Sequence, residues 1–283
     1  MMETMAMPAP DASARCRRAR PLLGTLVEIE ARGADAARAV DAGFAAVARV
    51  QRLMSRFEAD SDIGRLNAAP PGVPVTVDAD TLAVLRLAAE LECASGGAFR
   101  SARGGAGVGM DGPAWTIDGD AVCKHAPLLF DLGGIAKGHA VDCAIDAMLA
   151  IPGPAPMLAL VNAGGDMRHA GTEPVRVALR DPSAPARTAM VWTLHNAALA
   201  SSAAGGLTPA PDTRDAPPRI HASHGAAPLP SQAGASVLAP TCMLADALTK
   251  VVLLCHDPAH PLLARHGART LLYRDGKLSP LPP

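Results

Sequence analysis

The stretch LLFDLGGIAKGHAVDCAIDAM, Leu128 to Met148, decides the fold, and the chain is read outward from it. LLFDL has the composition of a buried strand, Gly133-Gly134 that of a turn, and a helix follows from about Ile135. In that helix Ala136, Ala140, Val141, Ala144, Ile145 and Met148 recur at helical spacing. Glycines between strand and helix let the backbone approach a ligand closely. The helix start behind them presents unpaired N–H groups and a partial positive charge, and Lys137 adds a full one. Two readings fit: an anion or phosphate site, or an ordinary strand–turn–helix unit with a solvated lysine. A Walker A loop is excluded because its glycine–lysine spacing is absent.

On the N-terminal side, residues 1–19 are small, polar and Pro-containing, which predicts a disordered tail ahead of one folded domain over 20–283. Pro21–Ala31 reads as a strand. Ala34–Phe57 carries Ala36, Val40, Phe44, Val47, Val50 and Met54 at spacings of three and four, an amphipathic helix. Met54–Ala69 reads as a solvated loop with a short helical turn. Thr81–Ser95 reads as a second helix, capped by Asp80 or Thr81 and ended by Gly96-Gly97. On the C-terminal side, Met157–Val161 is a short buried strand and Asn162–Asp166 a second glycine turn. Val175–Leu179 and Met190–Leu194 are strands of an antiparallel pair, and Ala197–Ser202 is a stretch of small residues. Ala203–Ala235, which holds His221 and His224, shows no period. A strand (Ser236–Ala239), a helix (Thr241–Cys255) and a last strand (Ala268–Tyr273) close the chain.

Composition narrows the function. One Tyr, two Trp and four Phe offer few stacking surfaces for bases, and the net charge is −1, so a nucleic-acid surface is not expected. None of the six cysteines forms a C-x-x-C pair, which leaves buried free thiols as the expectation. No stretch approaches a membrane span, and the N-terminal residues lack the apolar run of a signal peptide, so a cytoplasmic protein is expected. Asp246 stands between Leu244-Ala245 and Ala247-Leu248 in the closing helix. A carboxylate in apolar surroundings is costly unless paired or metal-bound. Mg²⁺ with a substrate phosphate is one partner. A salt bridge to Lys250 on the next helical turn, of about 0.2–0.5 kcal/mol, is the other.

Taken together, DLGGIAKGHAVD (Asp131–Asp142), NAGGD (Asn162–Asp166), MSRFEADSDIGRLN (Met54–Asn67), LADAL (Leu244–Leu248) and the early LLGT (Leu22–Thr25) resemble the ApbE family, the FAD:protein FMN transferases. They span most of the chain, about Pro21 to Cys255, in the family's order. The resemblance implies an α+β fold of the T-fold kind, with mixed or antiparallel sheets and packed helices. It also implies Mg²⁺-dependent transfer of FMN from FAD to a Thr or Ser hydroxyl of a target flavoprotein, with release of AMP. A non-catalytic flavin-binding accessory protein or an FAD pyrophosphatase are the alternatives. By motif position Asp131 and Lys137 contact FAD. The backbone oxygen of Gly134 and the carboxylate of Asp246 bind Mg²⁺. Leu23 and Phe57 fall where members carry flavin-contacting Met and Tyr. Gly97-Ala98-Phe99-Arg100-Ser101-Ala102 takes the place of the family's G-A-F-D-P-T, so Ala98, Phe99 and Arg100 are further FAD contacts, Arg100 standing at an acidic position. Asp246 and His221 are the implied catalytic residues, with Ile220-His221, or alternatively His224, as the remnant of an H-I-I-D-P-x-T-G motif. The metal-binding Thr that members place four residues after the Asp is here Lys250, with Thr249 one residue earlier, and the family's T-S-G is reduced to Ser201-Ser202-Ala203.

Overall fold

The structure is a computed structural model and describes residues 14–104, 113–154, 156–182, 184–203, 233–274 and 277–279. Two strands, β1 (Arg15–Leu22) and β2 (Thr25–Arg32), open it as an antiparallel hairpin. The single strand expected over Pro21–Ala31 is therefore two, turned at Leu23-Gly24, both with positive φ (55° and 68°). The tail expected up to residue 19 gives way to strand at Arg15. Charge is the reason: Arg15 pairs with Glu30 at 2.8 Å, Arg17 with Glu28 at 2.9 Å, and Arg18 and Arg20 both reach Asp41. Polarity here marks a charged sheet edge rather than missing structure.

Strand β2 alternates, burying Val27, Ile29 and Ala31 beneath helix α1 (Ala36–Met54). α1 meets them with Ala36, Val40, Phe44, Val47 and Val50, one apolar stripe at the expected spacing. Helix α2 (Asp62–Ala68), strand β3 (Val75–Thr76) and helix α3 (Ala79–Ala94) follow. The residue that caps α3 is Asp78, whose carboxylate accepts the Asp80 N–H at 2.9 Å. Thr81 is instead buried inside the first turn.

The Met54–Ala69 segment is in part the expected solvated loop with a short helical turn, with residues 56–60 exposed and α2 as the turn, but several of its polar side chains are tied into the fold. Ser61 caps α2 through the Gly64 N–H (2.8 Å) and donates to the Ser55 carbonyl (2.6 Å). The buried Asp62 accepts from the Thr81 hydroxyl (2.6 Å) and the Asp78 N–H (2.8 Å). Asn67 exchanges two hydrogen bonds with the backbone of Phe130 (2.6 and 3.1 Å), as a strand residue would. A Cβ on Gly64 would lie 2.1 Å from the Glu58 carbonyl oxygen, so only glycine fits.

Strands β4 (Ala102–Gly104), β5 (Trp115–Asp118), β6 (Ala121–Lys124) and β7 (Leu128–Phe130) make two small sheets, ordered β3-β6-β5 and β4-β7. LLF is thus a strand, paired to β4 rather than placed in the main sheet. Helix α4 (Ala136–Leu149) begins where the glycine turn ends, followed by β8 (Leu158–Ala163) and β9 (Asp166–Ala170). The arm β10 (Val175–Asp181) and β11 (Ala184–Leu194) is the expected antiparallel pair. Strands β12 (Ala198–Ala203) and β13 (Gly234–Ala239), helices α5 (Cys242–Cys255) and α6 (Pro261–Arg265), and strands β14 (Arg269–Arg274) and β15 (Lys277–Leu278) complete the described chain.

The main sheet has eight strands in the order β1-β2-β8-β9-β12-β13-β14-β15, every neighbouring pair antiparallel. Helices α1, α4 and α5 cover one face and build the large core. On the other face the arm packs Leu179 and Leu194 against Leu199, Leu271 and Tyr273. Period-two alternation divides the faces: Ala198 and Ala200 of β12 join the helix side and Leu199 the arm side. No helix among the described residues is long and apolar enough to cross a membrane.

Helices α4 and α5 cross closely because Gly138 lacks a side chain. A Cβ there would meet the Cys242 carbonyl oxygen at 2.3 Å and its carbon at 2.6 Å. Each helix then offers a carboxylate to the other's start. Asp142 of α4 accepts the Cys242 and Met243 N–H groups, both at 2.8 Å, and Asp246 of α5 accepts the Gly138 N–H at 3.3 Å. Both are anions at positive helix ends.

Candidate functional site

A cavity of about 790 Å³ opens between the arm and the main sheet, at the end where the glycine turns meet. That volume is in the usual range for a cofactor-sized ligand. Leu23, Gly133, Lys137, Gly164, Ser201 and Lys250 contribute to its wall, with Tyr273 on the arm side. Leu23 is held in its left-handed conformation by its N–H bond to the Gln51 side chain (2.7 Å). The turn at Gly164 sits directly on Thr25, where a Cβ would approach the hydroxyl to 2.5 Å.

The charged centre of the site is two carboxylates and two ammoniums. Asp166 and Asp246 are 1 % and 0 % exposed. Lys137 pairs with Asp166 and lies 3.6 Å from Asp246 Oδ2. Lys250 pairs with Asp246 Oδ1 and donates to its backbone oxygen at 2.9 Å. Burial alone would raise the Asp246 carboxyl, but Lys137 and Lys250 outweigh it and hold it below the ordinary carboxylate range. Asp166 goes the other way: burial and the Asp246 charge raise it despite Lys137. Burial works against the Lys137 ammonium too, yet the two carboxylates outweigh it and keep the lysine charged. At the start of α4 the Gly138 N–H is already given to Asp246, which leaves the Lys137 ammonium as the group there that faces the cavity.

The remaining expected site residues fall in two groups. Leu23 and Lys137 line the cavity. Gly134 lies under the Lys250 stem and beside the Phe99 ring, 3.6 and 3.8 Å from where its Cβ would be. Asp131 does not line the cavity; it accepts the Gly133 N–H (3.0 Å) and pairs with Arg103 (3.1 Å) and Arg56 (3.7 Å), so it shapes the turn. Phe57 is 82 % exposed beneath the Arg56 guanidinium. Ala98 is half-buried, Phe99 is buried, and Arg100 is exposed and donates to the Gly97 carbonyl at 3.1 Å; none of the three reaches the cavity wall. His221, like His224, lies outside the described residues.

Sequence reasoning missed Asp166 as a partner of Lys137, although a carboxylate directly after a glycine turn is a usable signal. It also missed Tyr273, whose hydroxyl is buried at the cavity with no hydrogen-bond partner among the described residues. Nothing local marks that tyrosine; the pairing of β13 with β14 sets it opposite Gly234.

Asp246 and Gly134 do not fit the Mg²⁺ expected of them. Mg²⁺ wants several oxygen ligands with lone pairs free, usually anionic. Both carboxylate oxygens of Asp246 already face N–H donors, and its backbone oxygen accepts from Lys250 and, at 2.7 Å, from the Thr249 hydroxyl. Thr249 turns away to bond Ser202 Oγ at 2.7 Å. The two lysine charges cancel the two carboxylate charges, so no net negative charge is left for a dication. A second set of metal-type side chains lies on the outer side of α4, where His139 Nε2 is 3.3 Å from both Asp80 Oδ1 and Cys143 Sγ. There Asp80 is already paired with Arg49.

A wide antiparallel sheet covered by helices on one face, with a charged cavity at its glycine turns, defines an α+β fold with a candidate ligand site. The ApbE family profile matches residues 23–108 and 108–271, and the chain belongs to that family. It is 32% identical over 213 residues to an FAD:protein FMN transferase of Rhodobacter capsulatus, covering 64% of this chain but 39% of that protein. The chain therefore spans about two fifths of that relative's length. Among solved structures, it is similar to the flavin transferase ApbE from Vibrio cholerae (TM-score 0.72, 21% identity, 94% of this chain and 96% of that one). It is also similar to the ApbE protein of Thermotoga maritima (TM-score 0.74, 20% identity, 95% and 96% covered). These likenesses bear out the α+β fold.

Proposed function

We propose that this chain transfers FMN from FAD to a Thr or Ser hydroxyl of a target flavoprotein and releases AMP. The observation that carries the reading is the pair of lysine ammoniums, Lys137 and Lys250, in the wall of a cofactor-sized cavity at two glycine turns. Membership of the family and the name of the Rhodobacter relative support it. In the reaction the acceptor oxygen bonds to the FMN phosphorus while the bond from that phosphorus to the bridging oxygen breaks. AMP leaves with the bridging oxygen and its electron pair, and the hydroxyl proton passes to solvent or a base. Such a transition state spreads negative charge over phosphoryl oxygens, and positioned cations stabilise it. Lys137 and Lys250 supply those cations, and Asp166 and Asp246 hold them in place.

The test is incubation with FAD and a flavoprotein bearing an FMN-acceptor threonine, following AMP and protein-bound flavin. Equal amounts of AMP and covalent flavin are expected. AMP with free FMN and an unmodified acceptor would replace the reading by pyrophosphatase activity. One observation favours a second reading, a flavin-binding accessory protein: Asp246 is so fully engaged by N–H donors that it cannot take the hydroxyl proton. Tight FAD binding without AMP would establish that one.

A further inference from the structure

We infer that the Lys250 ammonium takes the place of a divalent cation at this site, so that the diphosphate of a flavin dinucleotide is bound by the chain's own lysines and needs no metal. The inference rests on the flavin reading above for the identity of the ligand, but not for the absence of the metal. Lys250 lies one helical turn after Asp246, so α5 itself fixes the pair. Its stem crosses Gly134, and its ammonium engages both the side chain and the backbone oxygen of Asp246. Lys250 thereby touches both residues expected to hold the metal, its stem passing Gly134 and its ammonium pairing with Asp246. An ammonium carries three donors and no acceptor. Two are used within the described residues, and the third remains for a ligand oxygen in the cavity that Lys250 lines.

Thr249 cannot restore a metal site by sliding one place. Neighbouring helix positions differ by about 100° in direction. Its hydroxyl is on the β12 side, bonded to Ser202 and to the Asp246 carbonyl. Lys137 points the same way in charge: its ammonium already bridges Asp166 and Asp246, so a dication at Asp246 would face two ammoniums within ion-pair range.

The experiment measures metal directly. Mn²⁺ is titrated into the wild-type chain and into Lys250→Thr, Lys250→Gln and Asp246→Asn, reading free Mn²⁺ by electron paramagnetic resonance. FAD affinity is measured in parallel by calorimetry, with EDTA and with excess Mg²⁺. The wild type is expected to take up no Mn²⁺ and to bind FAD equally with EDTA or Mg²⁺. Lys250→Thr is expected to gain one Mn²⁺ site and an FAD affinity raised about tenfold or more by Mg²⁺, the scale of a change around a metal ligand. Lys250→Gln, which keeps most of the stem and loses the charge, serves if the threonine variant does not fold, and is expected to bind FAD more weakly in EDTA than the wild type. One Mn²⁺ bound by the wild type and lost in Asp246→Asn would overturn the inference, as would wild-type FAD binding that vanishes in EDTA and returns with Mg²⁺. If the wild type binds no FAD in either buffer, the flavin reading fails, and the Mn²⁺ titration alone decides whether the lysine has displaced the metal.

Discussion

Replacing Gly138 by Ala should destabilise the protein, although in an exposed helix the same change would stabilise it. Helix propensity favours Ala over Gly by about 1 kcal/mol. Against this, the new methyl carbon would stand 2.3 Å from the Cys242 carbonyl oxygen, 2.6 Å from its carbon and 2.8 Å from the Met243 Cα. All three are backbone atoms of the first turn of α5, so no side-chain rotation relieves the clash. The helices have to separate. Overpacking of this kind costs about 1–3 kcal/mol. Separation also stretches the two bonds that Asp142 accepts from Cys242 and Met243. Bonds to a charged group are worth about 1.5–3 kcal/mol each, and partial loss is enough to keep the balance unfavourable. The expected net loss is about 2–4 kcal/mol, read as a lower urea midpoint at unchanged slope. FAD affinity should fall as well, because the same crossing brings Lys137 to Asp246. A Gly138→Ala variant as stable as the wild type would refute the claim that contact of α4 with α5 sets the site.

Three further expectations concern other parts of the molecule. Lys137→Met leaves Asp166 and Asp246 buried together with one fewer cation, which should cost about 3–5 kcal/mol. It should also make the variant more stable at pH 5 than at pH 7, because an acid whose folded pKa is raised, as Asp166 already is, contributes stability that is lost as pH rises. His169 is buried, and its Nδ1 accepts the Asn196 N–H at 3.1 Å. Burial lowers its pKa from 6.5, so the unfolded chain takes up the proton first and stability falls as the pH drops below that value; His169→Gln should flatten this dependence in denaturation curves. Burial, with Asp142 and Asp146 nearby, pushes the Cys143 thiol up to about 11, while Cys93 is exposed. Iodoacetamide at mildly alkaline pH should therefore modify Cys93 well before Cys143, as peptide mapping would show.

The sequence by itself determined the local units. Spacing located α1 and α4, because a helix that buries one face repeats its apolar residues every three or four positions, whereas α5, read as a helix from its composition, is buried nearly all round. β10 and the later part of β11 were legible as a strand pair, and the glycine pairs marked both turns of the site. Motif order was enough to place the chain in its family. Tertiary structure alone decided what those units do together. The arginines of β1 look like a solvated tail until Glu28, Glu30 and Asp41 stand opposite them. Asp62 and Asn67 look like loop residues until Thr81 and Phe130 arrive as partners. The centre of the site is the sharpest case. Lys137, Asp166, Asp246 and Lys250 come from α4, β9 and α5, and Gly138 is what lets the two helices meet. The sequence shows Lys250 one turn from Asp246, but only the fold shows Lys137 and Gly138 closing on the same carboxylate. A charge's partners depend on distances of a few ångströms between segments far apart in sequence, and no local pattern encodes them.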